Sequence, residues 1–96
     1  MEHVKEIISY EFDINSFEKD QAYKITLPTI GMQRFECAAI LDNLDSTSLV
    51  FITNQYEQRP EIKSIVGTSI YSLRINIDDY LKGDISIVKL GVIEPT

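Results

Sequence analysis

The chain has 96 residues, of which 44% are hydrophobic and 25% charged, with a net charge of −6. That is the composition of one ordinary globular domain, expected to span 1–96, and it excludes a disordered or low-complexity chain. An acidic balance without any cluster of Lys or Arg excludes the electrostatic footprint of direct nucleic-acid binding, and no apolar run approaches the ~20 residues of a membrane helix.

Residues 2–8 place Val4, Ile7 and Ile8 at helical spacing, which predicts a short N-terminal helix. The segment has no apolar stretch of signal-peptide type, so a cytoplasmic location is expected. From Ile8 the dominant period is two. Ile8, Tyr10, Phe12 and Ile14 alternate with Ser9, Glu11 and Asp13, predicting a half-buried strand. Tyr23, Ile25 and Leu27 predict a second strand, ended by Pro28. Phe35, Cys37, Ala39 and Leu41 form one face of a third, starting near Arg34. Residues 42–47 have the composition of a turn. Leu49 to Ile52 is a continuous apolar run and reads as a fourth strand buried on both faces. Residues 54–63 read as a polar loop. Tyr71, Leu73, Ile75 and Ile77 give a fifth strand, and Ile85–Ile93 a sixth, with Gly91 at a bulge.

These elements predict an all-β fold: a small antiparallel barrel of five to six strands, with short helical turns between strands. A compact two-sheet sandwich is the alternative. Closure is favoured because it removes exposed edges, and because short strands cannot build two large sheets. From residue 22 onward, the strand order and the helical turn expected over Asp78–Gly83 resemble the layout of the five-stranded SH3-like barrel. The resemblance is one of layout, and it carries no function.

The stretch 75–90 crowds Asp78, Asp79 and Asp84 around Tyr80 and Gly83. It echoes 12–27 without gaps, pairing Ile77 with Ile14, Tyr80 with Phe17 and Lys82 with Lys19. Both copies read as a strand end, one helical turn and a new strand. Asn15 or Asp78 would cap the turn, Phe17 or Tyr80 would plug the core, and Gly83 would supply a left-handed exit. The aspartates therefore read as a corner, not a metal site, and they do not match a calcium-loop pattern. Asp42 and Asp45 read as turn residues in the same way. His3 reads as a surface histidine. Cys37 lies on an apolar face and reads as a buried small hydrophobe. No phosphate-binding, dinucleotide or zinc-protease motif is present. Neither catalysis nor a cofactor is expected.

A surplus of apolar residues carries the functional reading. If Phe35, Cys37, Ala39 and Leu41 point inward, Ala38 and Ile40 point outward. If Leu49 and Phe51 are inward, Val50 and Ile52 are outward too. Leaving such side chains in water forgoes about 1.5–3 kcal/mol each. Tyr56 and Arg59 in the polar loop are of types favoured at interface centres. The expected function is a non-catalytic protein–protein binding module, such as an adaptor, assembly component or inhibitor of a larger complex. Its contact residues would be Ala38, Ile40, Val50, Ile52, Tyr56 and Arg59, and a homodimer is expected. The alternative is an acidic decoy that occupies a nucleic-acid groove on another protein, as mobile elements encode. It draws on Glu2, Glu6, Glu11, Asp13, Glu18 and Asp20, which oppose only Lys5 and Lys19 and give residues 1–20 a net −4.

Overall fold

The period-two pattern becomes strands almost throughout. A computed structural model describes residues 3–6 and 10–91. Strands β1 (Val4–Glu6) and β2 (Tyr10–Phe12) pair antiparallel, with Val4 opposite Phe12. A 3-10 turn follows at Ile14–Ser16. Then come β3 (Ala22–Ile30), β4 (Gln33–Leu44), β5 (Ser48–Thr53), β6 (Ile62–Ser64) and β7 (Tyr71–Asn76). Helix α1 (Ile77–Leu81) precedes the last strand, β8 (Ser86–Lys89). The larger sheet runs in the order β6-β7-β5-β4-β3-β8, and every pairing is antiparallel.

The all-β class holds, with a helical turn before the last strand. Closure does not. The sheet is open, with β6 and β8 at its two ends. These are its shortest strands, with three and four residues. One open flank is bridged by a side chain instead of a ladder. Arg59, in the loop before β6, reaches the β3–β4 hairpin and donates to the carbonyls of Pro28 (2.5 Å) and Gln33 (3.2 Å).

Four other expectations need correction. The N-terminal helix is absent at Val4–Glu6, which are extended; Glu2, Ile7 and Ile8 lie outside the described residues. So short a helix would carry the whole nucleation cost for few hydrogen bonds, whereas pairing with β2 satisfies the backbone directly. The first alternating strand ends at Phe12, so Ile14 enters the turn and is exposed, as is Tyr10; Phe12 alone of the three is core. Pro28 does not end β3. The strand continues to Ile30, and the β3–β4 register shifts between Leu27 and Ile30, where proline lacks an N–H to give. The expected bulge at Gly91 falls past the end of β8, and Val92 and Ile93 lie outside the described residues.

One face of the sheet carries the core: Tyr23, Ile25 and Leu27 from β3, Cys37, Ala39 and Leu41 from β4, Leu49 and Phe51 from β5, Leu73 and Ile75 from β7, and Ile87 from β8. Phe12 and Phe17 close one end. Phe12 meets Phe17 edge-on at 6.0 Å and Tyr80 at 5.6 Å, so both predicted plugs converge on it. The internal echo is thus structural, since the 3-10 turn and α1 begin at aligned residues, Ile14 and Ile77. The caps differ from expectation. Asp13, not Asn15, is the capping side chain of the first turn, accepting from the Asn15 N–H at 3.1 Å. At α1 the N-cap position is Asn76, not Asp78, and its side chain makes no capping bond.

Both copies dock on the β4–β5 turn. Phe12 N–H donates to the Ser46 carbonyl at 2.7 Å, and Ile77 N–H to the Thr47 carbonyl at 2.8 Å. Asp45 organises that turn by accepting the backbone N–H groups of Thr47 and Ser48, each at 2.8 Å. Those two bonds hold its carboxyl below the ordinary value of 3.8.

Candidate protein-binding face

Strand alternation fixes what lies on the solvent side of the sheet. Along β4, Cys37, Ala39 and Leu41 are buried while Ala38 and Ile40 are exposed, with Ile40 at 50%. Along β5, Leu49 and Phe51 are buried while Val50 and Ile52 are half-buried. The fourth strand is therefore not sealed on both faces, and the inside–outside assignment of Ala38, Ile40, Val50 and Ile52 stands.

Register joins them into one surface. Ile40 lies opposite Ile52 on β5 and opposite Ala22 on β3. The Leu90 N–H donates to the Ala22 carbonyl at 3.0 Å, which sets Leu90 beside Ala22. Leu90–Ala22–Ile40–Ile52 is thus a single row across β3, β4 and β5 and the residue that follows β8. In the next row, Val88, at 51% exposure, stands opposite Lys24, which stands opposite Ala38. Cross-strand neighbours on one face lie about 4.5–5.5 Å apart, so the first row forms a continuous apolar strip, and in the second Lys24 separates Val88 from Ala38. Alternation within the last strand places Val88 and Leu90 on one face. Pairing partners cannot be read from one strand's alternation, so their junction with Ala22 and Ile40 was hidden.

The strip has charged flanks. On one side, Glu36 pairs with Arg34 at 3.3 Å and Lys24 at 3.8 Å. On the other, Lys63 and Arg74 line a groove of about 490 Å³ with Glu61, Ser72 and Asp79. Among the described residues, one carboxylate oxygen of Glu61, Oε1, is buried without a hydrogen-bond partner.

The two loop residues part company. Tyr56 is 54% exposed and packs on Tyr71 with ring centres 5.0 Å apart. Arg59 is 5% exposed and its guanidinium is fully engaged. Besides Pro28 and Gln33 it bonds Glu57 at 2.6 Å, and it lies 5.7 Å from the centre of the Phe35 ring. Burial removes Arg59 from the binding residues and makes it a clamp. Composition could not separate these roles, because the acceptors on Pro28 and Gln33 are distant in sequence.

The residues with chemical potential are occupied structurally. His3 is half-buried, not a bland surface residue. Its ring packs on Phe17 at 4.7 Å, and Nδ1 lies 3.0 Å from Ser16 Oγ. The Ser16 hydroxyl donates its proton to the Asp13 carbonyl at 2.9 Å. The imidazole then donates to Oγ, the wrong direction for a general base activating a serine. Burial pushes the Cys37 thiol up, against the lowering by Thr53, so the thiolate is disfavoured. Asp78 and Asp79 sit in the first turn of α1, where carboxylates favour the helix start, and Asp79 pairs with Lys82 at 3.4 Å. The Glu18 carboxylate, 2.6 Å from Lys89 Nζ, holds that lysine's pKa up. No helix among the described residues is long and apolar enough to cross a membrane.

Comparison with protein-family models, with curated proteins and with solved structures finds no match to this chain.

Proposed function

We propose that the protein is a non-catalytic protein-binding module whose solvent-side sheet face docks another protein. One observation carries the reading: the unbroken apolar row Leu90–Ala22–Ile40–Ile52 on the face opposite the core. Contiguous apolar surface of this kind is a mark of interaction sites. Ala38 and Val50 widen the strip, and exposed Tyr56 is a further aromatic contact. An adaptor, an assembly component or an inhibitor of a larger complex would use such a face. No nucleic acid, membrane or cofactor enters this function, and the cytoplasm is its proposed setting.

The acidic-decoy reading is weaker. It needs free carboxylates over 11–20, but Asp13 accepts a backbone bond and Glu18 pairs with Lys89.

The test compares immobilised wild type with Ile52→Asp as baits in extract of the native host. Melting of each bait shows that it is folded. The expected result is a partner retained by wild type at about 0.5 M salt, where surface electrostatics are screened, and lost on the variant. A partner retained equally by both baits contradicts the reading. Retention that collapses with salt and survives Ile52→Asp favours the decoy.

A further inference from the structure

We propose that the strip pairs with the same strip of a second copy, about a twofold axis running along the strands between β4 and β5. The inference rests on the preceding reading and names the occupant of its surface.

The argument is one of charge placement. Arg74 stands opposite Val50 on β5, one row from Ile52. It is exposed and lies on the β7 side of the strip. Carboxylates occupy the same row on the other side. The β4–β5 register slips between Leu41 and Asn43, so Asp42 is the extra residue of a bulge opposite Val50. The Asp20 N–H donates to the Leu41 carbonyl at 2.8 Å, placing Asp20 at the head of β3. Both aspartates are exposed. In that row the face reads cation, apolar centre, anion.

A twofold axis along the strands superposes left on right. It lays Ile40 of one copy on Ile52 of the other, twice. It also brings each Arg74 over Asp20 of the opposite copy, with Asp42 one strand nearer the axis. Such a closed interface uses one patch on both copies, which is the commonest form of homodimer. Aligned packing of two sheet faces is the geometry their twist permits. An axis across the strands would instead set Ile40 on itself, leave Arg74 facing Ile70, and bring Asp20 to Lys24, which already pairs with Glu36 at 3.8 Å. The cation without an ion pair among the described residues, Arg74, therefore favours the axis along the strands. Among the described residues, none of Arg74, Asp42 and Asp20 is in an ion pair, which leaves them available to a second copy.

Sedimentation equilibrium on the full chain tests this. Wild type is expected to be a dimer at about 100 μM, a state that depends on protomer concentration. Ile40→Asp is expected to be a folded monomer. Arg74→Asp should weaken the dimer about tenfold or more, near 1.4 kcal/mol. The double variant Arg74→Asp, Asp20→Arg restores the pair with its signs exchanged, and should return the dissociation constant to within about threefold of wild type. Thermal melting shows that each variant is folded. A wild type that stays monomeric overturns the pairing and leaves the capture of a different protein to decide the broader reading. A dimer indifferent to Arg74→Asp, or a double variant weaker than the single, overturns the axis proposed here.

Discussion

Asp20 and Gly83 share the left-handed backbone conformation, with φ of 68° and 86°, although Gly83 ends α1 whereas Asp20 lies past the 3-10 turn, in the turn before β3. They are aligned positions of the internal echo, and among the described residues Asp20 is the one non-glycine with positive φ. A Cβ at Gly83 would meet nothing within 4 Å, so any penalty there is backbone strain alone. Left-handed geometry costs an ordinary L-residue about 1–2 kcal/mol, with Asp less affected. Gly83→Ala is therefore expected to destabilise by about 1 kcal/mol, and Asp20→Gly to stabilise by a few tenths up to about 1 kcal/mol. Urea unfolding measures both. A neutral Gly83→Ala would contradict the account.

That echo shows how much of the fold was legible. Its periodicity, its two aromatic plugs and the Gly83 exit are local properties, and they appear in the letters. The left-handed Asp20 does not, because aspartate is common in many other turns. Alternation likewise separated Ile40 from Leu41 correctly. Closure failed because it depends on whether β6 and β8 are long enough to meet, and the polar loop 54–63 gave no sign of carrying a strand from Ile62. Arg59 looked like an interface residue because its acceptors, Pro28 and Gln33, come from a distant hairpin.

Arg59 makes the loop before β6 part of the core. Its removal would leave two carbonyls and the Glu57 carboxylate short of a donor in a partly buried setting. Breaking one partner of a buried ionic group typically costs about 3–5 kcal/mol. Arg59→Met is expected to destabilise by a cost of that order. Arg59→Lys should recover little, since a single ammonium cannot fork to three acceptors. Chemical denaturation of the two variants checks this, and a Lys variant near wild type would show that geometry is unimportant there.

The Asp45 turn predicts a pH dependence. Folding lowers the Asp45 pKa from 3.8, so its stabilisation is present above that value and fades as pH falls through the lower folded value. At neutral pH, Asp45→Ala should cost on the order of 1 kcal/mol, since the bonds are solvent-exposed and screened. The gap between wild type and variant should narrow as unfolding is measured toward about pH 3. A gap that stays constant over that range would remove the carboxylate charge from the explanation.

Ile40 and Leu41 are neighbours with opposite fates. Leu41 is fully buried, whereas Ile40 faces solvent. Leu41→Asp places a charge in the core and is expected to unfold the chain. Ile40→Asp should change the stability of the monomer by no more than about 1 kcal/mol, the span of strand propensities. Circular dichroism and melting distinguish them. If Ile40→Asp also unfolds the monomer, that face is structural, not a docking surface.

A photo-crosslinking residue introduced at Ile40, with a control at Met32, tests the central claim most directly when expressed in the native host. Met32 is 99% exposed in the β3–β4 turn, away from the strip. The account predicts a discrete protein adduct from position 40, to another protein or a second copy, and none from position 32. No adduct from position 40, or the same adducts from both positions, would contradict it.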